Sequence, residues 1–226
     1  MFKFIFLDLD DTILDFEKAE EKAIAKAFVD FGISPTEDEI ERYKKINLLQ
    51  WERYERGEIT REQVLTVRFD IFFEKYGLKL SGDYADSVYR HYLGIGHFFI
   101  DGAVELLEAL KKRGLRLFIA SNGVAATQDS RLDSAGIRPY FEEIFISETT
   151  GYHKPEKEYF DYCFDRIPGF CREEAMIVGD SLTSDILGGI NAGIKTCWFN
   201  PKNKPPREGI TPDYEIKQLS DLLKLL

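Results

Sequence analysis

Phe2-Lys3-Phe4-Ile5-Phe6-Leu7-Asp8-Leu9-Asp10-Asp11-Thr12-Ile13-Leu14-Asp15 is an apolar run that ends abruptly in carboxylates and a hydroxyl. Residues 4 to 7 are unbroken apolar, with β-branched and aromatic members, the pattern of a strand buried on both faces of a parallel sheet. Sheets of that kind place chemistry at the carboxyl ends of their strands, where Asp8 and Asp10 stand. With a period of two, both side chains leave a continuing strand on one side, and carboxylates so close repel unless a cation sits between them. The same residues also suit an N-cap and first helical turn, where acids complement the helix dipole. Taken alone, the stretch is open between these two readings.

A chain of 226 residues accommodates one large domain, or a core with a smaller insert. Hydrophobic residues make up 44% and charged residues 31%, the balance of a folded globular protein rather than a disordered one. A formal net charge of −10 argues against nucleic acid polymers and membranes as partners, since both attract clustered Lys and Arg. It leaves room for a small anionic substrate held through a metal. Cys163, Cys171 and Cys197 are odd in number and lack ligand-like spacing, which points to reduced thiols. Met1-Phe2-Lys3 leads straight into the strand without space for a signal peptide, and no apolar run approaches membrane-spanning length, so a cytoplasmic location is expected.

Beyond the opening strand, Phe16, Ala19, Ala23, Ala27 and Phe31 recur at helical spacing up to Gly32. Thr36 with Glu39 reads as a capping box opening a second helix to about Gly57, and Thr60 with Gln63 opens a third. A fourth is expected over Tyr84 to Tyr92. Residues 16–96 thus read as helices only, an inserted helical domain, with 1–15 and 97–226 forming the α/β core. From Asp101 the pattern alternates. Strands are expected at 117–120, 144–146, 175–178 and 195–199, with helices between them, a surface loop over 200–212 and a short terminal helix at 219–226. Such alternation predicts a doubly wound α/β sheet.

Four strand ends carry polar groups: Asp8, Asp10 and Thr12; Ser121 and Asn122; Lys154; and Asp180, Ser181 and Asp185. Each has an ordinary explanation alone, as an N-cap, a solvated lysine or a dipole-facing acid. Four such sets at successive strand ends fit phosphoryl transfer, which needs a carboxylate nucleophile, a second acid/base, a hard cation held by oxygens and donors for the transferred oxygens. His91, His97 and His153 have no cysteine placed to form a Cys/His nucleophile.

With Asp-Leu-Asp-Asp-Thr at 8–12, Ser-Asn-Gly at 121–123, Lys-Pro at 154–155 and Gly-Asp-Ser-Leu-Thr-Ser-Asp at 179–185, the chain resembles the haloacid dehalogenase-like (HAD) hydrolase superfamily. The resemblance implies a Rossmann-like three-layer core with a parallel sheet of order 3-2-1-4-5 and an all-helical cap inserted after the first motif. It further implies that Asp8 attacks phosphorus to form an aspartyl-phosphate, while Asp10 protonates the leaving oxygen and then activates water. Mg²⁺ would be held by Asp8, the Asp10 carbonyl and Asp180. Ser121 and Lys154 would bind phosphoryl oxygens, Asp185 would orient Lys154 or metal-bound water, and Thr12 would fix the turn that aims Asp10.

Within the superfamily the motifs look most like the pyrimidine 5′-nucleotidase branch, which implies a nucleoside 5′-monophosphate, or another small phosphorylated metabolite, as substrate. A sugar-phosphate phosphatase is the alternative. A phosphomutase shares the core residues, a haloacid dehalogenase needs neither Asp10 nor Mg²⁺, and a non-catalytic regulator would lack a nucleophile or ligand. Asn122 and the cap residues Asn47, Trp51, Tyr54 and Arg68 are candidates for substrate contact: Trp51 or Tyr54 by stacking on a base, Arg68 by pairing with phosphate or a base carbonyl. Helix packing and an ion pair are the competing account of the cap residues. Either a monomer or a homodimer is compatible with the sequence.

Overall fold

The computed structural model describes residues 2–226. Strand β1 (Phe4–Leu7) is followed by helices α1 (Phe16–Asp30), α2 (Glu37–Glu55), α3 (Arg61–Glu74) and α4 (Gly82–Ile95). Alternation then sets in with α5 (Ala103–Lys112), β2 (Arg116–Ser121), α6 (Ala125–Ala135), β3 (Glu143–Ile146), the one-turn α7 (Ser147–Thr150) and α8 (Lys157–Phe164). Next come β4 (Ala175–Gly179), α9 (Leu187–Ala192), β5 (Lys195–Phe199) and β6 (Tyr214–Ile216). Two compact units result, one running to Phe16 and resuming over Phe98–Leu226, the other comprising Glu17–His97.

In the first unit all strands pair in parallel, in the order β3-β2-β1-β4-β5-β6. The strand period of two explains why β1 is apolar throughout. Ile5 and Leu7 join a core with Leu106, Leu107 and Leu110 of α5, whereas Phe4 and Phe6 join another with Tyr159, Phe160 and Phe164 of α8. Phe6 stacks on Phe118 with ring centroids 5.1 Å apart. The expected order 3-2-1-4-5 is present and is extended by β6, three residues beyond the expected loop that pair with β5.

Three local readings change. A π turn over Leu182–Ile186 precedes α9 where a plain helix was expected, and the end of the chain forms a 3₁₀ helix over Leu219–Lys224. Thr36 caps α2 by accepting from the Glu39 amide, but the Glu39 carboxylate reaches Lys75 instead of returning to the Thr36 amide, so the box is half formed. Thr60 and Gln63 form the complete box.

The second unit packs α1 to α4 around aromatic rings: Phe28 stacks on Phe72 at 4.7 Å, and Tyr43 meets Phe69 at 5.1 Å. A buried polar chain threads the same helices. Glu20 accepts from Asn47, Asn47 accepts from Arg68 at 2.7 Å, and Arg68 pairs with Asp86 at 2.5 Å, which also accepts from Arg90.

Candidate active site

Sheet register gathers the polar residues. Leu7 pairs with Ile119 and with Val178, so Asp8 comes level with Ala120 and Gly179, and Ser121 and Asp180 follow by one residue. Asp8 extends the ladder through its amide, which donates to the Val178 carbonyl at 2.9 Å. The chain then turns back. Leu9 O accepts from the amides of Ile13 and Leu14, and Asp11, with φ +55°, accepts the Phe16 amide on its carboxylate at 2.9 Å. Thr12 was expected to fix this turn, yet its buried hydroxyl makes no hydrogen bond among the described residues. Backbone bonds and the Asp11 side chain close the turn, an αL position that Asp tolerates better than most residues.

Lys154 is the hub. Its ammonium, 1% exposed, donates to Asp8 Oδ1 at 2.7 Å, Asp185 Oδ1 at 2.7 Å and the Ala120 carbonyl at 2.5 Å, which uses all three protons. Burial alone would lower its pKa, but Asp185 and Asp8 outweigh that and raise it, so the ammonium stays charged. Burial pushes Asp8 well above the usual carboxylate range, with Lys154 opposing and Asp185 and Asp10 adding. Asp180 is raised by burial to about 7 despite the Lys204 ammonium 2.8 Å from its Oδ2. Such strain among acids is relieved by a cation. Carboxylate oxygens of Asp8, Asp180 and Asp185 lie within 4.8 Å of one another, a hard oxygen donor set that fits Mg²⁺.

The π turn serves this cluster. Its wide turn, closed by Ile186 N donating to Ser181 O at 3.1 Å, brings the Asp185 carboxylate to Lys154 and back to the Ser181 amide at 3.0 Å. Asp185 was expected to orient Lys154 or metal-bound water, and this contact supplies geometry for the first of the two. The Asp10 carboxylate stands outside the acidic cluster: Gln128 donates to its Oδ2 at 2.6 Å and Arg131 to its Oδ1. Ser121 Oγ accepts from the Gly123 amide at 3.1 Å and from Gln128 at 2.9 Å.

Asn122 takes a different part from the substrate contact expected of it. Its carboxamide donates to Lys154 O and accepts from Lys154 N, at 2.8 and 2.9 Å, so it fixes the lysine's backbone. Arg68 and Asn47, also expected to meet substrate, are engaged in the buried chain of pairs in the helical unit, Asn47 between Glu20 and Arg68 and Arg68 with Nη1 on Asn47 and Nη2 on Asp86. Tyr54 is buried and its hydroxyl accepts from Arg61 at 3.0 Å, while the half-buried Trp51 meets its ring edge-on at 5.8 Å. Sequence reasoning missed Gln128, Arg131 and Lys204, as well as Trp198, whose indole donates to Asp180 O at 2.9 Å. The only sequence signal for Gln128 and Arg131 is a polar i, i+3 pair just after Ser-Asn-Gly.

The model of the family described as haloacid dehalogenase-like hydrolase matches residues 5–199. HAD-hydrolase YfnB of Bacillus subtilis is 44% identical over all of this chain and 95% of its own length, and its magnesium-bound crystal structure superposes with a TM-score of 0.95, covering 100% of this chain and 98% of that one. Pyrimidine 5′-nucleotidase PynA of Streptococcus pneumoniae is 35% identical, covering 100% of this chain and 95% of the relative. Pyrimidine 5′-nucleotidase YjjG of Escherichia coli is 33% identical over 98% and 96%. A family match that begins inside β1 and ends with β5 takes in every motif-bearing strand end, and the chain belongs to the haloacid dehalogenase-like hydrolases.

Proposed function

We propose that this chain is a Mg²⁺-dependent phosphomonoesterase acting on nucleoside 5′-monophosphates, pyrimidine nucleotides first. The observation that carries the reading is the convergence of the buried Asp8, Asp185 and Lys154 with the half-buried Asp180 in one cluster. The two pyrimidine 5′-nucleotidases among the relatives support the substrate class.

In this reading the Asp8 carboxylate attacks phosphorus, an O–P bond forms to give an aspartyl-phosphate, and the bond to the leaving oxygen breaks. Asp10 gives that oxygen its proton. It then takes a proton from the water that attacks the aspartyl-phosphate, so Asp8 is restored as the carboxylate, Asp10 as the acid, and inorganic phosphate leaves. Ser121 offers a hydroxyl to the phosphoryl oxygens. Lys154, its protons already directed at protein acceptors, contributes positive charge and holds the Asp8 carboxylate in line. Asp8, Asp180 and the Asp10 carbonyl would hold Mg²⁺, with Asp185 beside them, and the ion would neutralise charge on the transferred group.

A phosphate-release panel of pyrimidine and purine nucleoside monophosphates against sugar phosphates, with Mg²⁺ present, tests the proposal. Release from uridine and cytidine 5′-monophosphates is expected to lead. Silence across the panel refutes the enzyme reading, and preference for a sugar phosphate moves it to that alternative. Replacing Asp8 with Asn should cut turnover by roughly 10³-fold or more. The same variant should still melt as a folded protein, and near-normal activity in it would remove Asp8 as nucleophile.

A further inference from the structure

Helix α6 reaches into the site with two side chains that the catalytic scheme leaves without a task. Arg131 is 0% exposed, and its Nη1 donates both to Asp10 Oδ1 and to Gln128 Oε1, the latter at 3.0 Å. Gln128 is buried, and its Nε2 donates to Asp10 Oδ2 at 2.6 Å and to Ser121 Oγ at 2.9 Å. Each oxygen of the Asp10 carboxylate is therefore gripped from one helix, and the same carboxamide ties Asp10 to Ser121.

This arrangement is costly in itself. Arg131 Nε and Nη2 are buried without a hydrogen-bond partner among the described residues, and the guanidinium lies 5.7 Å from the Phe16 ring centroid. An apolar pair of similar volume would fill the space without stranding those N–H groups. Space has also been kept for the glutamine. A Cβ on Gly123 would come within 2.4 Å of Gln128 Nε2 and 2.8 Å of its Cδ, so the glycine of Ser-Asn-Gly leaves room for this carboxamide.

Asp10, with a side chain 27% exposed at the start of a turn, would otherwise sample several rotamers. We propose that Gln128 and Arg131 are positioning residues for Asp10, holding its carboxyl group where a proton is delivered to the leaving oxygen. The proposal rests on the reading of Asp10 as the general acid. Neither residue carries a bond-making role. They restrict where the acid can be, and misplacement of an acid by a fraction of an ångström is felt in the barrier.

Leaving groups of different basicity separate this role from a structural one. Uridine 5′-monophosphate releases a basic ribose oxygen that needs the proton, whereas p-nitrophenyl phosphate releases a phenolate that does not. The quantity to compare is kcat/KM, which reports steps up to departure of the leaving group and excludes the later hydrolysis of the aspartyl-phosphate. Arg131→Met and Gln128→Leu should each lose at least roughly tenfold more kcat/KM on the nucleotide than on the nitrophenyl ester, as Asp10→Asn should. Arg131→Lys should recover part of the loss. Adding Arg131→Met to Asp10→Asn should cost less than about twofold further, because the two act as a unit.

Equal losses on both esters in Arg131→Met and Gln128→Leu, with Asp10→Asn still discriminating between them, overturn the positioning role alone. So do losses that multiply in the double variant. If Asp10→Asn fails to discriminate, the general-acid reading falls and takes this one with it. Thermal melting accompanies each variant, and Gln128→Leu carries the test if Arg131→Met does not fold.

Discussion

At the scale of single residues, the site is shaped as much by atoms that are missing as by those present. Gly179 ends β4, and a Cβ there would stand 2.1 Å from Asp185 Oδ2 and 2.2 Å from its Cγ. That carboxylate cannot yield cheaply, since it is 1% exposed and bonded to both Lys154 and the Ser181 amide. Gly179→Ala should therefore displace Asp185 and weaken Mg²⁺ binding by about 10- to 100-fold, the usual range for disturbing groups around a metal site. Titration calorimetry with Mg²⁺ alone checks this, and wild-type affinity would show that Asp185 has another place to go. Asp8, Asp10, Ser121 and Asp180 were legible because each stands at or just after a strand end, and Lys154 and Asp185, farther along the segments that follow β3 and β4, because each belongs to a distinctive motif, Lys-Pro or Gly-Asp-Ser-Leu-Thr-Ser-Asp. Gln128 and Arg131 were not, because an i, i+3 polar pair on a helix is the ordinary signature of a solvated face. Only the three-dimensional closeness of α6 to the turn after β1 turns that pair inward.

At the scale of elements, the helical unit combines an aromatic core with a polar thread, and the thread carries the sharper stability prediction. Glu20, Asn47, Arg68 and Asp86 come one each from α1, α2, α3 and α4, so the network specifies how all four helices meet. Arg68 and Asp86 have side chains only 2% and 4% exposed. Arg68→Met strands the Asn47 and Asp86 oxygens that it satisfied and should destabilise the protein by about 3 kcal/mol, the lower end of what breaking a buried pair costs. Urea unfolding measures it. The double variant Arg68→Met, Asp86→Leu should recover part of that loss, because the uncompensated charge goes with its partner. The helices themselves were readable from periodicity and from Thr36 and Thr60 at their starts. Their inward polar residues were not, since a buried Arg and a surface Arg look alike in sequence. Strand β6 escaped notice for another reason. Three residues after a loop rich in Pro and charge carry too little pattern to announce a strand, and pairing with β5 makes them one.

For the whole molecule, the alternation of strands and helices after Asp101 was enough to foresee a parallel sheet, and its strand order followed from the family that the motifs resemble. The central place of β1 in that order has a consequence for how the protein loses its site. This strand is hydrogen-bonded to β2 on one side and β4 on the other, and Ile5, Phe6 and Leu7 are fully buried. Amides in such a position exchange with solvent only when the domain opens as a whole, while frayed or peripheral segments exchange through local openings. Hydrogen–deuterium exchange should find the amides of residues 5–7 among the slowest in the chain, protected to the global unfolding free energy. Fast exchange there would mean that the sheet opens from its centre. The residue assigned the covalent step is thus anchored to the last segment to come apart, and partial unfolding elsewhere, at β6 for example, should leave the nucleophile's mooring intact.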